Sequence, residues 1–104
     1  MDHVILRSDK KIHRIRLSDI VAIEGLGDYV KVHLAGSLLV VHDTLKNMVE
    51  DLPETFRRVH KSWVVSTDHI HYIDGNTIKT GTIEIPVGQT YKESFRAWLE
   101  RKDM

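Results

Sequence analysis

The chain has 104 residues, fifteen basic and fifteen acidic side chains, a formal net charge of zero and no cysteine. That length suits a single domain, residues 1–104, able to bury a core without staples, and the lack of cysteine excludes disulfides and thiolate metal clusters. No apolar run reaches the roughly 18 residues of a membrane span, and Met1-Asp2-His3-Val4-Ile5-Leu6-Arg7 does not read as a signal peptide, so a cytoplasmic, non-membrane protein is expected.

In chain order, most of the sequence reads as short strands separated by turn residues. Residues 12–17 mix apolar and basic positions as an edge strand would, Ser18-Asp19 breaks them, and Ile20-Val21-Ala22-Ile23-Glu24 follows as a buried run. Gly25-Leu26-Gly27-Asp28 reads as a loop with two glycines free to take positive φ. Tyr29 to Leu34 then alternates strictly, with Val30, Val32 and Leu34 on one face and Lys31 and His33 on the other. Ala35-Gly36-Ser37 turns the chain into Leu38 to His42, completing a hairpin.

The period then changes. Leu45, Met48, Val49 and Leu52 predict a helix capped by Asp43 or Thr44 and stopped by Pro53. A Thr90-Tyr91-Lys92-Glu93 capping box predicts a second helix with Phe95, Trp98 and Leu99 as its apolar stripe. Between them, 59–65 and 70–73 read as strands, Asp74-Gly75-Asn76 and Thr80-Gly81 as turns, and Pro86 as a strand end or edge. The fold class expected is mainly β, layered, with two short helices.

Three segments could carry chemistry. His69 and His71, two apart, would share one face of a strand, a geometry zinc can use, but no third ligand has a diagnostic spacing and no metal site is assigned. His60 is read as a structural hydrogen bonder at a strand end, since no nucleophile or carboxylate partner is evident. The Gly-x-Gly of 25–28 lacks the third glycine and following helix of a dinucleotide loop, and it makes sense as a tight turn presenting Asp28 and Tyr29. No catalytic constellation appears, so neither an enzyme nor a cofactor is expected.

The most informative stretch is Phe56-Arg57-Arg58-Val59-His60-Lys61-Ser62-Trp63-Val64-Val65-Ser66. Neutral overall charge speaks against binding nucleic acid by bulk electrostatics, because phosphate neutralisation supplies most non-specific affinity. Distribution speaks the other way. No acid lies between Glu54 and Asp68, while Arg57, Arg58 and Lys61 fall inside that window. Basic and hydroxyl side chains at a strand entrance can bond phosphates or reach base edges.

With Ile20 to Glu24, Gly27-Asp28-Tyr29-Val30-Lys31-Val32-His33, Thr44-Leu45 and Ile85-Pro86-Val87 before Tyr91, this stretch resembles the LytTR domain over residues 12–99. That is the DNA-binding module found at the C-terminus of many bacterial response regulators. The resemblance implies an elongated arrangement of antiparallel sheets whose loops enter successive grooves of double-stranded promoter DNA. It implies binding to repeated elements as a homodimer, as the output domain of a two-component transcription regulator driven by an upstream receiver or sensor module. By position, Asp28 with Tyr29, Lys61, and Gln89 fall in the three base-reading loops, with Arg58 and Ser62 as phosphate or backbone supports and Arg57 of the basic window as a further DNA-binding residue. Gly88-Gln89 stands where the family usually offers Ser-Arg, and Ser66 where it has Asn. Glutamine pairs with adenine where arginine favours guanine. The rival expectation, from the neutral charge, is a protein-interaction module using exposed strand edges.

Overall fold

The computed structural model of the chain describes residues 2–101, and its turns decide its elements. β1 (His3–Ser8) and β2 (Lys11–Arg16) form a two-stranded ribbon closed by Asp9 and Lys10, at φ of 52° and 62°. Positive φ at both central residues is the requirement of a type I′ hairpin turn, usually met by Asn-Gly or Asp-Gly. With lysine in the second place the sequence signal for the turn is weak; the edge strand expected at 12–17 is found at Lys11–Arg16 as one arm of this ribbon.

β3 (Ile20–Leu26), β4 (Tyr29–Leu34) and β5 (Ser37–Val41) form the expected meander, with Gly27 and Gly36 at positive φ in its two turns. Gly25 departs from expectation because it lies inside β3, not in a loop. A Cβ there would stand 3.3 Å from Cβ and Cδ2 of Leu45, so this glycine lets the first helix approach the sheet. That helix, α1 (Leu45–Glu50), begins at Thr44, whose Oγ1 accepts a hydrogen bond from the Asn47 amide at 3.2 Å. It ends two residues short of Leu52, capped by Asp51.

The strand expected over 59–65 is a hairpin: β6 (Phe56–His60) and β7 (Trp63–Ser66) fold about Lys61 and Ser62. β8 (Tyr72–Asp74), β9 (Thr77–Lys79) and β10 (Glu84–Pro86) form a separate three-stranded sheet, with Pro86 ending an edge strand as expected. A 3-10 turn over Gln89–Tyr91 with Gly88 at its N-cap precedes α2 (Lys92–Arg101). Thr90 is thereby enclosed in the turn, which the Tyr91 amide closes onto the Gly88 carbonyl at 3.0 Å, and the expected capping box does not define the start of the helix.

The central sheet has the order β5-β4-β3-β7-β6, antiparallel throughout. Its two faces bury two cores. On one, Ile20, Ile23, Val30, Val32 and Val64 pack with Leu6 of the ribbon and Leu45 and Met48 of α1. On the other, Val21, Ala22, Val59 and Val65 pack with Ile78, Ile85 and with Phe95 and Trp98 of α2. Simple alternation would put Ile20 and Ile23 on opposite faces. A register irregularity between Ile20 and Ala22 absorbs one residue and delivers both isoleucines, fully buried, to the first core. The molecule measures 42 × 26 × 23 Å, elongated and mainly β. Among the described residues no helix is long and apolar enough to cross a membrane.

Candidate functional site

Antiparallel pairing determines which turns leave the same end of the central sheet. Glu24 pairs with Trp63, and the Gly25 amide donates to the Ser62 carbonyl at 2.8 Å. The β3–β4 turn at Gly27-Asp28 and the β6–β7 turn at Lys61-Ser62 therefore project together. A third loop joins them, because the Gly88 amide donates to the Val59 carbonyl at 2.7 Å and lays Gly88-Gln89 against β6. Asp28 and Tyr29, then Lys61 and Ser62, then Gln89 thus follow one another across this end. Ser62 is partly buried, and the others are exposed.

The middle turn is held by side chains and not by glycine. His60 Nδ1 accepts the Ser62 amide at 3.0 Å, the structural hydrogen bond its position suggested. In the neutral ring the proton is then on Nε2. Arg58 donates from Nε to the His60 carbonyl at 2.9 Å and from Nη2 to the Lys61 carbonyl. Its guanidinium also lies 5.9 Å from the centroid of the Tyr91 ring. Arg57 is turned elsewhere, 5.4 Å over the indole of Trp98 on α2, farther down β6 and outside the row of loops.

The charge of the row is mixed, with cationic Lys61 at the centre and Asp28 on one flank. Asp43 lies next to that flank, its Oδ1 accepting from the Thr44 amide at 2.7 Å and from Asn47 Nδ2 at 3.3 Å. One member of this surface escaped the sequence reading. The exposed His42 sits opposite Tyr29, their ring centroids 4.9 Å apart. A signal for it existed. The two-residue turn pairs Leu34 with Ser37, and counting outward along that ladder brings 42 opposite 29.

The other candidates separate. His69 falls in a 3-10 turn (Thr67–His69) and donates from Nε2 to the Ser18 carbonyl at 2.7 Å, while His71 precedes β8 with its ring against Gly81. The expected shared strand face is not formed, because the chain bends at Thr67 before entering β8. Among the described residues no three His, Asp or Glu side chains cluster as a metal site would. The Gly-x-Gly segment runs into β4 and not into a helix. A concavity of about 460 Å³ is lined by Asp2, His3, Arg14, Arg16 and Ser18. Ser18 precedes β3, so this hollow lies toward the end of the sheet opposite the three loops.

The sequence matches the family model of the LytTr DNA-binding domain over residues 10–100. Among curated proteins none matches significantly. Among solved structures, the LytTr DNA-binding domain of a response regulator from Bacillus cereus superposes with a TM-score of 0.83 at 24% sequence identity. The alignment covers 95% of this chain and 97% of that one, a likeness of fold.

Proposed function

The chain belongs to the LytTR family of DNA-binding domains, and from that premise we propose that it binds double-stranded promoter DNA sequence-specifically through three side-by-side loops. The observation that carries this reading is the convergence of the β3–β4 turn, the β6–β7 turn and the Gly88-Gln89 loop at one end of the central sheet. Neighbouring hairpin turns in one sheet are two strand spacings apart, roughly 10 Å. A row of three such loops suits successive grooves on one side of a duplex better than one groove, whose major opening is about 12 Å wide.

The residue roles follow from chemistry. Lys61 donates to guanine or phosphate, Gln89 pairs with adenine, and Asp28 is suited only to an amino donor such as cytosine N4. Tyr29 and Ser62 supply hydroxyls to phosphate or base edges, Arg57 makes a flanking phosphate contact and Arg58 supports the middle turn. The domain acts as one unit in the cytoplasm, as the output module of a bacterial transcription regulator under an upstream receiver or sensor. Two copies occupy a repeated element, one per repeat.

Fluorescence anisotropy against a pool of bacterial promoter duplexes at two salt concentrations tests the reading. Binding to a subset, retained against competitor DNA and weakened by salt, is expected, as is a loss of about 10- to 100-fold for Lys61→Ala on that subset. No binding above competitor at low salt overturns it. One observation favours a second reading as a protein-docking module: Leu26, Tyr29, Leu38 and Val40 leave an exposed apolar strip on β3, β4 and β5, each about half accessible. A salt-independent complex with a protein, without DNA binding, would establish that alternative.

A further inference from the structure

The basic residue beside the middle loop gives two of its donors to the backbone of that loop. Arg58 gives Nε and Nη2 to the two carbonyls that form the β6–β7 turn, those of His60 and Lys61. Its guanidinium carbon lies 5.9 Å over the ring of Tyr91, which ends the 3-10 turn that begins at Gln89. The same small cluster closes from the other side. Gly88 is so tightly placed that a Cβ there would stand 3.3 Å from His60 Cα, His60 Cδ2 and Tyr91 Cδ2. Its amide is bonded to the Val59 carbonyl at 2.7 Å.

Resting on the DNA-binding reading above, we propose that Arg58 is a positioning residue, which clamps the Lys61 turn to the Gln89 loop so that both reach DNA in a fixed relation. A planar guanidinium is suited to this, because it can donate in two directions in its plane while its face stays free to stack. Lysine is a point charge on a flexible stem and cannot satisfy two carbonyls and an aromatic face together. On this proposal Arg58 acts through the two loops and not by touching phosphate. Its role is to set the geometry of the loops on either side of it, and Tyr91 is its counterpart on the third loop.

Two measurements on the whole chain test this, with Arg58→Lys, Arg58→Gln and Tyr91→Leu as variants whose folding is checked by circular dichroism. The first uses no DNA. Hydrogen exchange at the Ser62 and Gly88 amides, held in the parent by His60 Nδ1 and the Val59 carbonyl, is expected to accelerate at least 10-fold in Arg58→Lys. Unchanged exchange there overturns the clamp, whatever the chain binds. The second is the slope of log affinity against log salt on the selected promoter duplex. All three variants are expected to lose 10-fold or more in preference over competitor DNA while keeping the parental slope. A slope reduced by about one unit in Arg58→Gln and kept in Arg58→Lys would make Arg58 a phosphate contact and overturn the proposal. If the parent chain binds no duplex while exchange accelerates as expected, the clamp stands and the DNA reading fails.

Discussion

Gln89 is held out at the surface by a glycine that has no conformational reason to be one. Gly88 has φ of −73° and ψ of 151°, ordinary extended backbone, so space against His60 and Tyr91 explains it. The third loop is thus seated on the second by contact. Under the proposed reading Gln89 reads adenine, and Gln89→Arg should shift preference at that one position to guanine by about 1–3 kcal/mol. Competition between duplexes differing only at that base pair measures it; an unchanged preference would remove Gln89 from the contact set. At this scale the sequence carries what belongs to a side chain by itself, such as the cation of Lys61 and the amide of Gln89, and the structure leaves both exposed. The sequence does not carry the part played by Arg58, whose donors are taken up by carbonyls two and three residues on, a geometry that exists only once the hairpin closes.

Short elements in this chain depend on their ends. α1 has six helical residues, well under the length at which isolated helices hold in water, so its cap and its buried Leu45 and Met48 sustain it. Thr44→Ala should cost about 1 kcal/mol and lower Tm by about 4–8 °C, read by thermal melting followed by circular dichroism. An unchanged midpoint would mean that packing alone holds the helix. The meander of β3 to β5 was legible because alternation and two glycine turns agree. The β6–β7 turn was not, since Lys61-Ser62 carries no turn signal and is closed by His60 and Arg58. The capping box failed for a related reason: a local motif at 90–93 was overridden by a tighter turn started at Gly88.

At the scale of the molecule, β3 and β7 each send residues to both cores, Ile23 and Val64 to one and Ala22 and Val65 to the other. Two cores joined through shared strands should unfold together. Ile23→Ala in the first core and Ile78→Ala in the second, both fully buried, should each cost about 2–5 kcal/mol. Both tryptophans, Trp63 and Trp98, pack on the second core, so their fluorescence reports on it alone while circular dichroism reports on the whole. In Ile23→Ala the two signals are expected to move together in denaturant. A fluorescence midpoint that stays put while circular dichroism shifts would divide the chain into two units.

By itself the sequence determined the strand-rich class, both helices, the Tyr29–Leu34 strand with its buried face, and the family through motifs in order along the chain. These follow from short-range periodicity and turn chemistry, which neighbouring residues carry between them. The tertiary structure alone decided that 59–65 folds back on itself, that His69 and His71 part, and that Arg58 donates to the backbone of the middle turn. It also supplied the pairing by which the three loops that the family resemblance implies stand in one row. Each of those outcomes depends on which strands pair and in what register, and pairing joins residues whose separation along the chain leaves no local trace.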